Sequence, residues 1–149
     1  RKVNDGMGAF VADAAIKKLI QANKKVRDAR VFIFGLTFKE NCPDIRNSKV
    51  EDIISRLREY CIEPLVVDPR ADREEAAREY GVCLTDLSEV KEADCIIFAV
   101  AHDEFRKLTL AEIGDFYGNF PADEKVLIDV KGLFSQDELK AAGYTYWRL

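Results

Sequence analysis

The sequence encodes an α/β domain: a doubly wound, mainly parallel sheet of about five or six strands, preceded by an amphipathic linking helix. Arg30 to Phe34, Ala93 to Val100 and Lys125 to Val130 are continuous apolar runs, as in strands buried on both faces of a parallel sheet. Helical periodicity alternates with them, supplying the crossovers that parallel neighbours require, which are right-handed in nearly all known cases. With 149 residues, 48% hydrophobic and 34% charged, the chain is long enough for a core without staples and polar enough to be globular.

From Lys2 to Lys25, Val3, Met7, Phe10, Val11, Ala14, Ala15, Leu19 and Ile20 recur at three- and four-residue spacing, the pattern of a helix with one buried face. Residues 1–27 read as the end of a linking helix and residues 28–149 as the domain proper. The Arg30 strand stops at Gly35, and Thr37, Lys39, Glu40, Asn41, Asp44 and Arg46 crowd a loop broken by Pro43. A helix from about Ser48 to Tyr60 follows, capped by Asn47 or Ser48 and packed through Val50, Ile53, Ile54 and Leu57. Pro64 to Pro69 makes the second strand, with Pro69 as its stop. Asp68 then reads either as a turn-forming Asp-Pro or as a counterpart of the ribose-binding carboxylate, although it lies farther past Gly35 than the usual ~20 residues.

Asp72 to Tyr80 is a charged surface helix, and Gly81 to Leu84 is at most a short strand before a short helix capped by Thr85 or Asp86. Beyond the Ala93 strand, Leu108 to Phe116 is helical. After the Lys125 strand, Ser135 and Glu138 have the spacing of a capping box, Gly143 stops the helix they open, and Tyr144 to Leu149 alternates as an edge strand. There is no internal repeat.

The net charge of −4 gives no basic footprint for nucleic acid, and no apolar run is long enough to cross a bilayer. Cys42, Cys61, Cys83 and Cys95 lack C-x-x-C spacing and His102 lies far from all of them, so no metal site is expected. Cys61, Cys83 and Cys95 adjoin apolar runs and read as core or near-core thiols; reduced cysteines indicate a cytoplasmic protein. The chain starts in mid-helix without an initiator methionine, as an excised piece would.

The loops at Lys39, His102 and Lys131 each follow a central strand and should gather at one rim of the sheet. Open α/β sheets bind nucleotides there, because free backbone N–H groups and a helix dipole converge. Lys39, Arg46 and Lys131 add positive charge, whereas Lys24 on the first helix is a surface lysine without such placement. Only Gly35 stands where G-x-G-x-x-G would need three glycines, so side chains rather than a glycine turn should hold the ligand. His102 either touches a nucleotide or caps the next helix, and no nucleophile partner marks it as a general base.

The string from Gly35 to Ser48, with its FKENCPDIRNSK wording, resembles the UDP-glucose/GDP-mannose dehydrogenase family, most of all the branch that oxidises UDP-N-acetylhexosamines. Further matches follow in order at Arg1 to Met7, Val67-Asp68-Pro69, Ala101 to Phe105 and Asp129 to Gly132. The resemblance covers the carboxyl-terminal, UDP-sugar-binding Rossmann-like part of such an enzyme. It implies that Phe38, Lys39 and Lys131 contact a UDP-sugar and that Arg46 reaches toward NAD bound mainly by another domain. Arg1 falls in a motif near the sugar site, with no role assigned.

Family members oxidise the C6 alcohol to a carboxylate in two hydride transfers through a cysteine thiohemiacetal, making sugar acids for surface polysaccharide, and a homodimer or larger assembly is expected at full length. Nothing matches the family's nucleophile segment, so no catalytic residue is expected within this chain, and Cys42 sits in a different motif. Lys131 replaces the arginine of the UDP-glucose branch, which keeps a charge but loses a bidentate fork and leaves the sugar open. The rival reading is a stand-alone Rossmann-like module that senses a nucleotide or mediates assembly.

Overall fold

Strand β1 (Val31–Phe34) is buried at every position because it pairs on both sides and is covered on both faces. The computed structural model describes residues 2–149, with side chains from residue 6 onward. Arg1 therefore lies outside the described residues, as does the side chain of Val3. The remaining strands are β2 (Leu65–Val67), β3 (Cys95–Phe98), β4 (Val126–Asp129) and β5 (Thr145–Arg148), all parallel, in the order β2-β1-β3-β4-β5. The chain runs outward from β1 to β2 and then crosses back to β3, so the direction of winding reverses between β1 and β3. Register aligns Phe34 with Phe98 and Phe98 with Asp129, which brings the loops after β1, β3 and β4 off one rim at one level.

Helices α1 (Lys2–Gln21) and α2 (Val50–Glu59) cover one face, packing Val11, Ala15, Leu19, Ile53 and Leu57 on Val31, Ile33, Ile97 and Ile128. The opposite face carries α4 (Asp103–Arg106), α5 (Leu110–Gly114) and α6 (Gln136–Ala142), whose Phe105, Ile113 and Leu139 join Phe34, Phe98 and Phe134. The rings of Phe34 and Phe98 meet edge-on at 5.0 Å, a favoured aromatic geometry. Helix α3 (Arg73–Tyr80), capped by Asp72 and ended by left-handed Gly81, buries Ala76 near β2. The expected box at Ser135 forms, with Gly143 left-handed at the helix end.

Helix α1 departs from the expected stripe and stops at Gln21 instead of Lys25, with Asn23 in a left-handed conformation just beyond. Val11, Ala14, Ala15 and Leu19 are buried, but Met7, Phe10 and Ile20 are exposed, and Ala12, Ile16 and Ala22 take their place. The buried face is narrow because α1 lies close against α2. A Cβ on Gly8 would stand 2.4 Å from Asp52 Cβ. Arg56 donates to both Asp13 oxygens at 2.9 and 3.2 Å, fixing the two helices side by side.

The cysteines correct another expectation: Cys95 is buried, but Cys61 and Cys83 are exposed. Val82 and Leu84 point inward, and the alternation of extended chain turns Cys83 out between them. Cys61 is left-handed in the turn after α2. Burial pushes the Cys95 thiol up, so it stays protonated.

Candidate functional site

Gly35 opens the site. Its φ of +108° lets β1 turn directly over the chain after β3, where a Cβ would stand 2.5 Å from Val100 Cβ. The next two backbone N–H groups, of Leu36 and Thr37, donate to Asp68 Oδ2 at 2.6 and 3.1 Å. Asp68 Oδ1 accepts from Arg70 N at 2.8 Å. Burial pushes the Asp68 carboxyl up, but hydrogen bonds from His102, Leu36 and Arg70 outweigh it and hold the group below its ordinary range. At 5% exposure Asp68 is spent on the backbone, which settles the choice left open in the sequence in favour of a structural role.

His102 is 0% exposed. Its Nε2 lies 3.0 Å from Asp68 Oδ2 and 3.2 Å from Thr37 Oγ1, while Asn41 N donates to Nδ1 at 2.9 Å. Its side chain is turned inward, away from any ligand; the residue stands at the N-cap position of α4, as one of the two expectations had it, with its carbonyl accepting from Phe105 N and Arg106 N but no cap bond from the ring. The cap comes from Asn41, whose Oδ1 accepts from Asp103 N at 3.0 Å.

Beside this network, at the point where the winding reverses, Thr37, Phe38, Lys39, Glu40, Lys49, Val50, Ala99, Val100 and Lys131 line a cleft of ≈ 90 Å³. Phe38, Lys39 and Lys131 thus come together as expected, with Phe38 53% exposed. Among the described residues, Lys39, Lys49 and Lys131 have no carboxylate within ion-pair distance. Helix α2 begins here at Val50, later than expected: the cap position falls to Lys49, whose side chain makes no cap bond, rather than to Asn47 or Ser48, although Ser48 Oγ does accept from Val50 N at 3.1 Å. The lining thus brings three lysines and the start of α2 together against one carboxylate, Glu40, a surplus of positive charge that suits an anion.

Arg46 is not part of this lining. Its Nε and Nη2 donate to the two oxygens of Asp44, each at 3.0 Å, and its side chain is 76% exposed. The paired guanidinium lowers the Asp44 carboxyl to about 2. A larger hollow of ≈ 180 Å³ beside β2 is lined by Asp68, Asp86 and Glu104, and its Arg73 is bound to Asp86, so it has no surplus positive charge.

Two positions that build the candidate site were missed from sequence. Lys49 stands at the entrance of α2, where the pattern marked only the cap. Asp129 ends β4 fully buried and accepts from Leu133 N and Phe134 N at 2.9 and 3.0 Å, closing the turn that carries Lys131. An acidic residue at the end of an apolar strand was the available signal. Among the described residues there is no His/Cys/Asp/Glu cluster that could hold a metal, and no helix is long and apolar enough to cross a membrane.

The sequence profile of the UDP-glucose/GDP-mannose dehydrogenase family, UDP binding domain, matches residues 32–136. Protein CapL of Staphylococcus aureus is 40% identical over 149 residues, covering 100% of this chain and 34% of the relative. The UDP-N-acetyl-D-glucosamine 6-dehydrogenase of Pseudomonas aeruginosa is 42% identical, covering 93% of this chain and 32% of the relative. Among solved structures, the NDP-N-acetyl-D-galactosaminuronic acid dehydrogenase of Methanosarcina mazei Go1 superposes with a TM-score of 0.86 at 24% identity, over 99% of this chain and 30% of that one, a likeness of fold. The native UDP-N-acetyl-mannosamine dehydrogenase of Staphylococcus aureus gives 0.69 at 26% identity, over 99% and 32%. The chain spans about a third of the length of the curated relatives it matches.

Proposed function

Since the chain belongs to the UDP-glucose/GDP-mannose dehydrogenase family, as its UDP binding domain, we propose that the cleft beside Gly35 holds the diphosphate and sugar of a UDP-sugar. The wider reading is that the chain serves an NAD-dependent 6-dehydrogenase, converting the C6 alcohol of a UDP-N-acetylhexosamine to the carboxylate in cytoplasmic synthesis of surface polysaccharide. The names of the relatives from Pseudomonas aeruginosa and Staphylococcus aureus support the class of sugar and reaction.

The observation that carries the reading is the convergence of Lys39, Lys49 and Lys131, unpaired among the described residues, on one cleft at the reversal of winding. Lys39 and Lys131 neutralise the diphosphate, and the exposed Phe38 ring offers an apolar face to a sugar or base. NAD, when bound, accepts hydride. The chain lacks a glycine-rich dinucleotide turn, and what it can offer NAD is a point contact: Asp44 occupies Arg46 Nε and Nη2, leaving Nη1 for a phosphate.

Calorimetric titration of UDP and UDP-N-acetylglucosamine into the wild type, Lys39→Ala and Lys131→Ala tests this. Lys24 cannot serve as the surface control: its Nζ is 3.4 Å from Asp94, 3.7 Å from Glu124 and 3.4 Å above the Phe120 ring. Lys140, exposed on α6, replaces it. Loss of either cleft lysine should weaken UDP about tenfold or more, the scale of one charge-assisted hydrogen bond. Equal affinity in all four proteins would remove the site assignment.

A further inference from the structure

Among the buried titratable groups to which the proposed function gives no task, His102 lies next to the cleft. Its ring joins three segments. Thr37 and Asn41 reach it from the β1–α2 loop, Asp68 from the end of β2, and its own backbone belongs to the turn after β3. The protonation state follows from the partners. A backbone N–H only donates, so Nδ1, which accepts from Asn41, carries no proton. The ring proton is on Nε2, facing Asp68 Oδ2 and Thr37 Oγ1. The Thr37 hydroxyl donates its own hydrogen to Lys39 O at 2.9 Å and so presents a lone pair to the ring. Residues 37–41 are thus tied at both ends to one imidazole, with Phe38 and Lys39 between the ties.

We propose that His102 is a positioning residue for the sugar-nucleotide site: its neutral Nε2–H ring fixes the five-residue loop that presents Phe38 and Lys39 to the cleft. It acts without touching the ligand, and the assignment rests on the reading of the cleft as a UDP-sugar site. Ordering the loop before binding removes part of the entropy that a mobile loop would lose on capture.

Two substitutions separate the two ends of the ring. In His102→Asn the side-chain oxygen falls near the Nδ1 position, keeping an acceptor for Asn41 N–H and losing the donor to Asp68. In His102→Gln the terminal NH₂ falls near Nε2, keeping the donor and losing the acceptor for Asn41. Amide hydrogen exchange of the ligand-free chain and calorimetric titration of UDP are measured on the wild type and both variants, with thermal unfolding to confirm that each is folded. His102→Gln should speed exchange at residues 38–41 about tenfold or more while the β1 amides stay protected, and weaken UDP by about tenfold. His102→Asn should stay nearer the wild type at Asn41 and in affinity.

Unchanged loop exchange in both variants would overturn the proposal, and so would faster exchange with undiminished UDP binding. A wild-type chain that binds no UDP would count against the sugar-nucleotide reading itself, and loop exchange alone then decides whether His102 holds the loop. Should both variants fail to fold, the ¹⁵N spectrum of the wild-type ring decides: an Nε2–H tautomer supports the assignment, and an Nδ1–H tautomer overturns it.

Discussion

Replacing Gly35 with alanine should cost stability, and the cost can be worked from geometry. At φ +108° an L-residue is strained, which costs about 1–3 kcal/mol. The new Cβ would lie 2.5 Å from Val100 Cβ and 2.8 Å from Val100 N, and overpacking of this kind adds about 1–3 kcal/mol. Trimming Val100 to alanine gives no full rescue, because the Cβ and backbone nitrogen that clash both remain. Together the two effects remove about 2–6 kcal/mol from a total of order 5–15. For a domain of this size, at about 2–4 °C per kcal/mol, the midpoint should fall by roughly 4–24 °C. Thermal unfolding by circular dichroism, with urea titration for the free energy, measures it. Gly6 is the contrast: among the described residues nothing lies within 4 Å of the point on α1 where an alanine methyl would stand, so Gly6→Ala should be neutral or stabilising by up to about 1 kcal/mol. Stability of Gly35→Ala within about 1 kcal/mol of the wild type would refute the claim that this close approach requires glycine.

Asp68 has a lowered pKa in the fold, so its stabilisation is fully present above the unfolded carboxylate value of about 3.9 and is lost as pH falls toward the folded value. Unfolding free energy followed through that acid window should therefore fall more steeply in the wild type than in Asp68→Asn, and identical slopes would contradict it. In the complete enzyme, Arg46→Ala should weaken NAD about tenfold to a hundredfold and leave the sugar nucleotide nearly unchanged, as judged from separate titrations; the reverse pattern would move Arg46 to the sugar. The 149-residue chain alone should reduce no NAD with any UDP-sugar, because it has no matched nucleophile and no dinucleotide fingerprint; turnover by the chain alone would contradict the division of labour.

The sheet was legible because a strand covered on both faces must be apolar almost throughout: β1 and β3 are apolar at every position, and β4 is apolar up to Asp129 at its end. That fixes the rim, and with it the neighbourhood of Lys39 and Lys131. The face of α1 was less legible: Phe10 and Met7 are as apolar as Val11 and Leu19, so periodicity does not say which ridge meets α2 and which lies outside. His102 and Lys24 escaped for a related reason. A polar residue after a strand or helix reads the same whether it meets solvent or a carboxylate far along the chain. Asp68 stands 34 residues before His102, and Asp94 and Glu124 lie far beyond Lys24, so pairing of this kind exists only once the chain is folded.

The same long-range pairing explains how a chain of net charge −4 presents a positive cleft without a glycine-rich turn. Asp68 and Asp129 stand at strand ends on the rim, where free carboxylates would repel a diphosphate. Each is instead buried and accepts two consecutive backbone N–H groups, from Leu36 and Thr37 in one case and from Leu133 and Phe134 in the other. Each thereby fixes a loop that carries a cleft lysine, Lys39 or Lys131. Asp44 is likewise bound by Arg46, outside the lining. Backbone donors that a glycine turn would aim at a pyrophosphate are here turned inward onto carboxylates, and three lysines outnumber the single carboxylate, Glu40, left in the lining. Gly35 serves the crossing of β1 over Val100 rather than close approach to a phosphate, which is why a single glycine suffices where the usual fingerprint needs three.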